Sequence, residues 1–358
     1  MNKGGRRLRT GYTTGTCAAA AAKGAALLLT GSLDKNIEIV LPGGGNAVLS
    51  IQNSGVAGSA AFCEIVKDAG DDPDITNGAL IRATVKPVLT EGIIISGGEG
   101  VGVVTRPGLA VAPGKPAINP VPESMIRNSM RDAFKLFKGA EVIISVADGT
   151  ELAKKTLNAR LGIVGGISIL GTTGLVIPYS HEAYRESIQC ALDVVRAIGG
   201  NCAVLCTGRS SEKEARRLLP DIPEPAFVLM ADYFDFAVRE AVIHDLNKII
   251  IAGFPGKLLK MAAGASCTHY RKSSIDLECL SRIARDAGLP HDVADELSRA
   301  HTVRHAFEIL PAGHLQQLLP LLTRKVAERT REISNRSIKI EVILLSYSGG
   351  VLYYEKID

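Results

Sequence analysis

Between Asn201 and Tyr347 the chain alternates apolar runs with amphipathic ones, and this alternation constrains its fold more than any other feature. NCAVLCTG precedes SSEKEARRLL, AFVLMA precedes DYFDFAVREAVIHDL, and KIIIAG precedes PGKLLKMAAG; IKIEVILLSY follows a long helical stretch. Three strand–helix units and a closing strand predict a small, mostly parallel sheet. Parallel neighbours need long crossovers, and these are right-handed. In such sheets ligands settle beyond the carboxyl ends of the strands, where the strand order reverses. TGRS from Thr207 and GFPGK from Gly253 would lie there. Ser211 and Glu214 have the spacing of a capping box.

The first half has a different texture. TTGTCAAAAAKGAALLL, from Thr13, reads as a turn feeding a helix, with the threonines as caps and the alanines suited to close packing on a sheet. Short β-like runs follow at IEIVL, AVLSIQ, FCEIVKD, ALIRATVKPV and GIIISG, separated by loops rich in Gly, Asp and Pro. The five prolines of PGLAVAPGKPAINPVP exclude a helix there and predict an ordered surface loop. Helix SMIRNSMRDAFKLF, strand EVIISVA, helix ELAKKTLNARLG, a glycine-rich GGISILGTTG and helix HEAYRESIQCALDVVRAIG complete this half. The expected organisation is an α+β domain over residues 1–198 with a mostly antiparallel sheet, and an α/β domain over 199–358.

Composition narrows the function classes. Net charge is only +4 and aromatics make up 4% of the chain. A nucleic-acid surface needs a basic patch interleaved with stacking rings, so that class is disfavoured. The chain holds 37 glycines among 358 residues, an excess that marks tight turns or close backbone approach to a ligand. Its seven cysteines are scattered, which predicts reduced thiols in a cytoplasmic protein. Cys202 and Cys206 share one predicted strand, too far apart along it for a single zinc. Lys3, Arg6, Arg7 and Arg9 before an alanine run imitate an export signal, but Lys23 and Gly24 interrupt the apolar stretch. No window reaches the ~20 apolar residues of a membrane span.

Several motifs resemble chemistry without completing it. GEGVG, from Gly98, lacks the last glycine of GxGxxG and runs into VVTRP rather than a helix, which argues against a dinucleotide. GFPGK lacks the spacing and hydroxyl of a Walker loop, so phosphoryl transfer is weaker still. Cys267 with His269 is a thin pair of metal ligands, and no metal is expected. In KDAGDDPDIT, Asp68, Asp71, Asp72 and Asp74 crowd around Gly70 and Pro73. They read equally well as an Asx-rich turn or as carboxylates held close to a ligand.

Taken in order, longer strings carry a family resemblance. LRTGYTTGTCAAAAAKGAA from Leu8 resembles the opening of the CbiD-type cobalt-precorrin-5B C(1)-methyltransferases of anaerobic cobalamin biosynthesis. The likeness continues through KDAGDDPDIT, GGEGVGVVTRPGL, PAINPVP, EVIIS, LNARLGIVGGISILGTTG, TGR from Thr207, and GKLLKMAAG from Gly256 with Thr268 and His269. It covers roughly the first 270 residues, and several ordered motifs are more specific than one glycine loop. The chain departs from the family pattern at ADYFD (Ala231 to Asp235), where a more Asn- and Gly-containing segment is expected.

The resemblance implies methyl transfer from S-adenosylmethionine to ring carbon C(1) of a cobalt-bound tetrapyrrole, cobalt being part of the substrate. It also implies two domains. Under it, Thr13, Thr14, Gly15 and Thr16 would offer hydroxyls and open helix N–H groups to substrate carboxylates, as would Arg106, Asn119, Asn158, Arg160, Thr172 and Thr173. Asp68, Asp71 and His269 are candidate bases. Glu99, Gly100 and Gly102 in one loop, and Thr207, Gly208, Arg209, Gly256 and Lys257 at the strand ends, are two alternative clefts for the methyl donor. A non-catalytic tetrapyrrole carrier or scaffold of the same pathway is the rival from another class, and a homodimer stays open.

Overall fold

A computed structural model describes residues 8–133, 138–265, 268, 277–335 and 338–357. The chain packs as two compact units, Met1–His181 and Glu182–Asp358.

In the first unit, β1 (Gly11–Tyr12) leads into α1 (Thr14–Leu29). A hairpin follows, β2 (Asn36–Val40) with β3 (Asn46–Ser50). Strands β4 (Asn53–Ala57), β5 (Ala60–Val66), β6 (Leu80–Val88) and β7 (Gly92–Gly97) come next, then a two-residue β8 (Val103–Val104) and helix α2 (Pro120–Ala133). β9 (Gly139–Val146) enters the sheet, and α3 (Gly149–Ala153), β10 (Ile163–Val164) and β11 (Leu175–Val176) close the unit. The main sheet has the order β4-β5-β6-β9-β7, antiparallel except for the parallel β7–β9 pair.

Helix α1 explains how this unit holds together. Ala18–Ala22, Ala25 and Ala26 are fully buried, and small side chains let the helix lie close to the sheet. A Cβ on Gly24 would come within 2.7 Å of Cys63 Sγ on β5.

Two elements differ from the sequence expectation. The proline-rich stretch is not loop to its end: Pro120 and Pro122 form the first turn of α2. The first N–H groups of a helix have no intrahelical partner, so proline costs little there. The helix expected at ELAKKTLNARLG stops at Ala153. Beyond it the chain turns back on itself, fixed by Leu161 N–H to Leu157 O (3.1 Å) and Ile163 N–H to Asn158 O (2.8 Å).

The second unit opens with α4 (His181–Ala197), whose Ile188, Leu192 and Val195 belong to this unit's core. The sequence expectation left that helix in the first domain. Then come β12 (Cys202–Cys206), α5 (Arg209–Leu218), β13 (Phe227–Leu229), α6 (Phe234–Ile243), β14 (Lys248–Gly253) and α7 (Pro255–Ala262). Helices α8 (Leu277–Asp286), α9 (His291–Ser298), α10 (Val303–Ile309) and α11 (Ala312–Ser334) precede β15 (Lys339–Leu345) and β16 (Val351–Ile357). The sheet runs β13-β12-β14-β15-β16, parallel over its first four strands, with β16 antiparallel at the edge. The three strand–helix units therefore stand where periodicity puts them. β16 (VLYYEKI) was not anticipated.

Candidate functional site

In the first unit the recognisable motifs meet one another around the segment 163–174. Ile167 N–H donates to Gly100 O (3.0 Å) while Gly102 N–H donates to Ile167 O (2.9 Å). Ile169 and Ala117 are linked at 2.8 Å, Asn119 N–H reaches Ile169 O at 2.9 Å, and Ala117 N–H reaches Gly102 O at 2.7 Å. Asn158, itself buried, donates its amide to Gly166 O at 3.0 Å.

The threonines of TTGT are part of this knot. Thr13, Thr14 and Thr16 are 5%, 3% and 0% exposed, too buried to touch a large substrate directly. Thr13 caps α1 by accepting Thr16 N–H at 3.2 Å. Thr14 accepts Leu170 N–H at 2.8 Å and donates toward the Ser168 and Leu170 carbonyls. Thr16 donates to Gly174 O at 2.6 Å. Gly15 N–H is taken by Leu170 O at 3.0 Å, and a Cβ there would press on Pro122 at 2.7 Å. The expectation of open donors at this helix start is thus corrected for Gly15 and Thr16. Both N–H groups are satisfied from within the protein.

The GGEGVG loop has a similar explanation. Gly100 and Gly102 are buried, and a Cβ on Gly100 (φ +75°) would fall 2.0 Å from Val146 O. On Gly102 it would fall 2.4 Å from Ile163 Cγ2. The Val146 carbonyl requires glycine at 100, and the Ile163 side chain with Gly166 O requires it at 102; no ligand need be invoked. Glu99 is exposed, and its carbonyl accepts Val146 N–H at 2.9 Å.

The acidic cluster is an ordered clamp. Asp71 accepts Arg9 N–H at 2.7 Å, and Asp68 is ion-paired in a bidentate fashion with the Arg9 guanidinium. That hydrogen bond, with one from Gly70 N–H, holds the Asp68 carboxyl below the usual carboxylate range, which makes it a poor proton acceptor. Asp72 accepts Tyr179 N–H at 2.9 Å, and Asp74 accepts from Thr76 and from Lys67. These bonds build the Asx-rich turn, with Asp68 and Asp71 on its exposed side. His269 lies outside the described residues.

Around the knot some candidates remain accessible. Thr172 and Thr173 are exposed, and Asn119 is half-buried at the start of α2. Arg106 is half-buried and donates to Arg160 O at 3.0 Å, and Arg160 is half-buried beside it.

The second unit gathers the other cleft. In the order β13-β12-β14 the chain passes from the first strand outward to the second, then back across to the third, so the strand order reverses between β12 and β14. The two loops flanking that point carry Thr207–Gly208–Arg209 and Phe254–Pro255–Gly256–Lys257, each opening a helix. They touch: a Cβ on Gly253 would lie 2.9 Å from Thr207 Cγ2. Ser211 accepts Gly208 N–H at 3.0 Å from inside α5, so it is the third helical residue reaching back to the cap. The expected Ser211–Glu214 box is corrected accordingly, Glu214 pairing instead with Arg217 at 2.9 Å.

Gly208 differs from the glycines of the first unit. Its backbone is extended, and a Cβ there would meet nothing within 4 Å. Among the described residues nothing demands glycine at this strand end.

Asp232, overlooked in the sequence, also stands here, just past β13. Lys257 is ion-paired to it, Thr268 Oγ1 donates to it at 2.9 Å, and Lys260 donates to Thr268 O at 3.2 Å. The ring of Tyr233 stacks on Tyr184 at 5.1 Å, and the Tyr184 hydroxyl, its pKa raised by burial, senses both Asp232 and Arg209. The missed signal was spacing: an acid at the end of the second strand, about two dozen residues after the glycine that follows the first. Thr207, Gly208, Arg209, Gly256 and Lys257 are thus brought together at the carboxyl ends of the neighbouring strands β12 and β14. Glu99, Gly100 and Gly102 belong to the other unit.

The CbiD family model matches residues 1–178, and the model of the CbiD C-terminal domain matches residues 267–356. A cobalt-precorrin-5B C(1)-methyltransferase of Salinispora arenicola is 43% identical over 346 residues, 96% of this chain and 91% of the relative. The protein of the same name from Rubrobacter xylanophilus is 44% identical over 348 residues, covering 96% and 90%. A crystal structure of a cobalamin biosynthesis protein (CbiD) from Archaeoglobus fulgidus is 32% identical, covers 79% of this chain and 85% of that one, and has a TM-score of 0.40.

Proposed function

The chain belongs to the CbiD family, and from that premise we propose that it transfers a methyl group from S-adenosylmethionine to ring carbon C(1) of cobalt-precorrin-5B, giving cobalt-precorrin-6A. The observation that carries this is near-full-length identity above 40% to relatives named for that reaction. A carrier that binds the macrocycle without acting on it is disfavoured on the same ground.

The methyl donor belongs at the carboxyl ends of β12 and β14 in the second unit. Three features support this: the reversal of strand order, two helix N-termini opening onto it, and a glycine at 208 that no described residue crowds. Bound there, S-adenosylmethionine supplies an electrophilic methyl sulfonium. The chain's own work is then to bind and align. Gly208 permits close approach, the N-terminal turns of α5 and α7 favour a carboxylate, and the Arg209 and Lys257 cations add to that field. Alignment of donor and acceptor in one orientation is the larger part of such catalysis.

For the tetrapyrrole, with its acetate and propionate arms, the accessible polar groups around the knot of the first unit are the contacts we favour: Asn119, Thr172 and Thr173, with Arg106 and Arg160. The buried threonines and Asn158 hold that surface in place from behind.

Anaerobic incubation of purified protein with S-adenosylmethionine and cobalt-precorrin-5B tests the assignment. Mass spectrometry should show a gain of one methyl, located at C(1). A tetrapyrrole recovered unchanged would overturn the proposal.

A further inference from the structure

β14 and β15 are parallel neighbours in register Gly253↔Leu344, so their carboxyl ends lie side by side. β15 passes into β16 through a tight turn, closed by Ser346 N–H to Gly350 O at 3.0 Å and Gly349 N–H to Ser346 O at 3.1 Å. Tyr347 sits in that turn and meets the loop that follows β14. Its ring stacks on Phe254 with centroids 5.4 Å apart, and its hydroxyl accepts Gly256 N–H at 3.1 Å. A Cβ on Gly256 would come within 3.2 Å of that oxygen. The guanidinium carbon of Arg304, on α10, lies 5.5 Å from the centre of the same ring.

Both groups keep donors in hand. A phenol that accepts one N–H still has its own proton to give, and among the described residues Tyr347 gives it to none. Arg304 spends Nε on Glu308 at 2.8 Å, and no described residue accepts from its Nη groups. The Arg304 side chain is 63% exposed. The ring beneath the guanidinium and the carboxylate on Nε hold it in one orientation, with the phenol O–H beside it. A fixed cation next to an O–H donor is an arrangement that receives a carboxylate.

We propose that Tyr347 and Arg304 receive a carboxylate arm of the tetrapyrrole at the carboxyl end of β15. This rests on the reaction and the donor site assigned above. Methyl transfer brings the donor and the acceptor carbon to about 3–3.5 Å. With the donor over the ends of β12 and β14, a macrocycle must extend over a neighbouring strand end. Beyond β13 stands the acid Asp232; beyond β15 stand this phenol and this cation. A polycarboxylate is drawn to the second. The hydroxyl would give its proton to the arm while still accepting Gly256 N–H, so the same residue braces the donor loop and holds the substrate.

Anaerobic isothermal titration of the full chain with cobalt-precorrin-5B, and separately with S-adenosylhomocysteine, tests this. Arg304→Gln removes the charge from an exposed side chain and should weaken tetrapyrrole binding about tenfold, with S-adenosylhomocysteine held within about twofold. Arg304→Lys should recover only part of the loss, because a point charge replaces a planar fork. Tyr347→Phe keeps the stacked ring and should weaken the tetrapyrrole more than S-adenosylhomocysteine. Wild-type tetrapyrrole affinity in Arg304→Gln, or equal weakening of the two ligands in Tyr347→Phe, overturns the proposal while the donor site stands. Wild-type protein that fails to bind S-adenosylhomocysteine overturns the donor site as well, and one that fails to bind the tetrapyrrole overturns the assigned reaction. The Arg304 measurements stand whether or not Tyr347→Phe folds.

Discussion

The Thr14 hydroxyl accepts the Leu170 N–H at 2.8 Å, joining a buried residue to a partly exposed one 156 positions away. With Thr16 bonded to Gly174 O at 2.6 Å, it ties the start of α1 to the segment on which the other motifs converge. A threonine pair that looks in sequence like a ligand grip is, in the fold, an internal fastening.

Thr14→Val keeps the shape and removes the acceptor of the part-buried Leu170 N–H, for an expected loss of about 0.5–1.5 kcal/mol. Thr16→Val strands the buried Gly174 O and should cost about 1–3 kcal/mol. Denaturant unfolding measures it as a lower midpoint. A variant with wild-type stability but weakened tetrapyrrole binding would restore the direct-contact role.

Gly100 and Gly208 should respond in opposite ways. Gly100→Ala places a Cβ against Val146 O at a positive φ, and overpacking with backbone strain should cost about 3 kcal/mol or more. Gly208→Ala meets no atom of the described residues within 4 Å and should change stability by only about 0.5 kcal/mol. It should nevertheless weaken S-adenosylhomocysteine binding. Paired thermal melts and titrations decide this, and unaltered binding by Gly208→Ala would argue against the donor site.

Lys67 is buried, with its side chain 1% exposed, and its ammonium lies 2.6 Å from Asp74. Burial pushes the Asp74 carboxyl up, but the Lys67 charge and the bonds from Lys67 and Thr76 outweigh it and hold the carboxyl below its ordinary 3.8. The stabilisation from this pair is therefore complete above about pH 4 and is lost as pH falls through the lower folded value. Asp74→Asn should cost about 3–5 kcal/mol at neutral pH, since it strands a buried ammonium. It should also flatten the acid limb of the stability profile, read by denaturant midpoints from pH 6 to pH 3. An unchanged profile would show that the pair carries none of the acid sensitivity.

Much of the element pattern was legible along the chain. Apolar runs of buried strands such as KIIIAG, and amphipathic helices such as α4, are set by spacing within ten or twenty residues. Where elements were misread, the cause was a local rule applied without its end condition. Prolines exclude a helix interior but not the first turn, which is where Pro120 and Pro122 lie. A helical pattern after Glu151 gave way because 154–162 makes better bonds by folding back toward 163–166.

The sequence by itself determined the kinds of element, the parallel character of the second sheet and, through its ordered motifs, the family. Tertiary structure alone decided what each glycine and hydroxyl is for. The need for glycine at 100 comes from Val146, and the partner of Thr14 is Leu170, so distant chain segments assign the role. The same holds for Asp232, whose place beside Gly208 exists only because β12 and β13 are neighbours. Local periodicity records how a segment buries its own apolar face. It carries no record of which remote backbone will arrive to fill the space beside it.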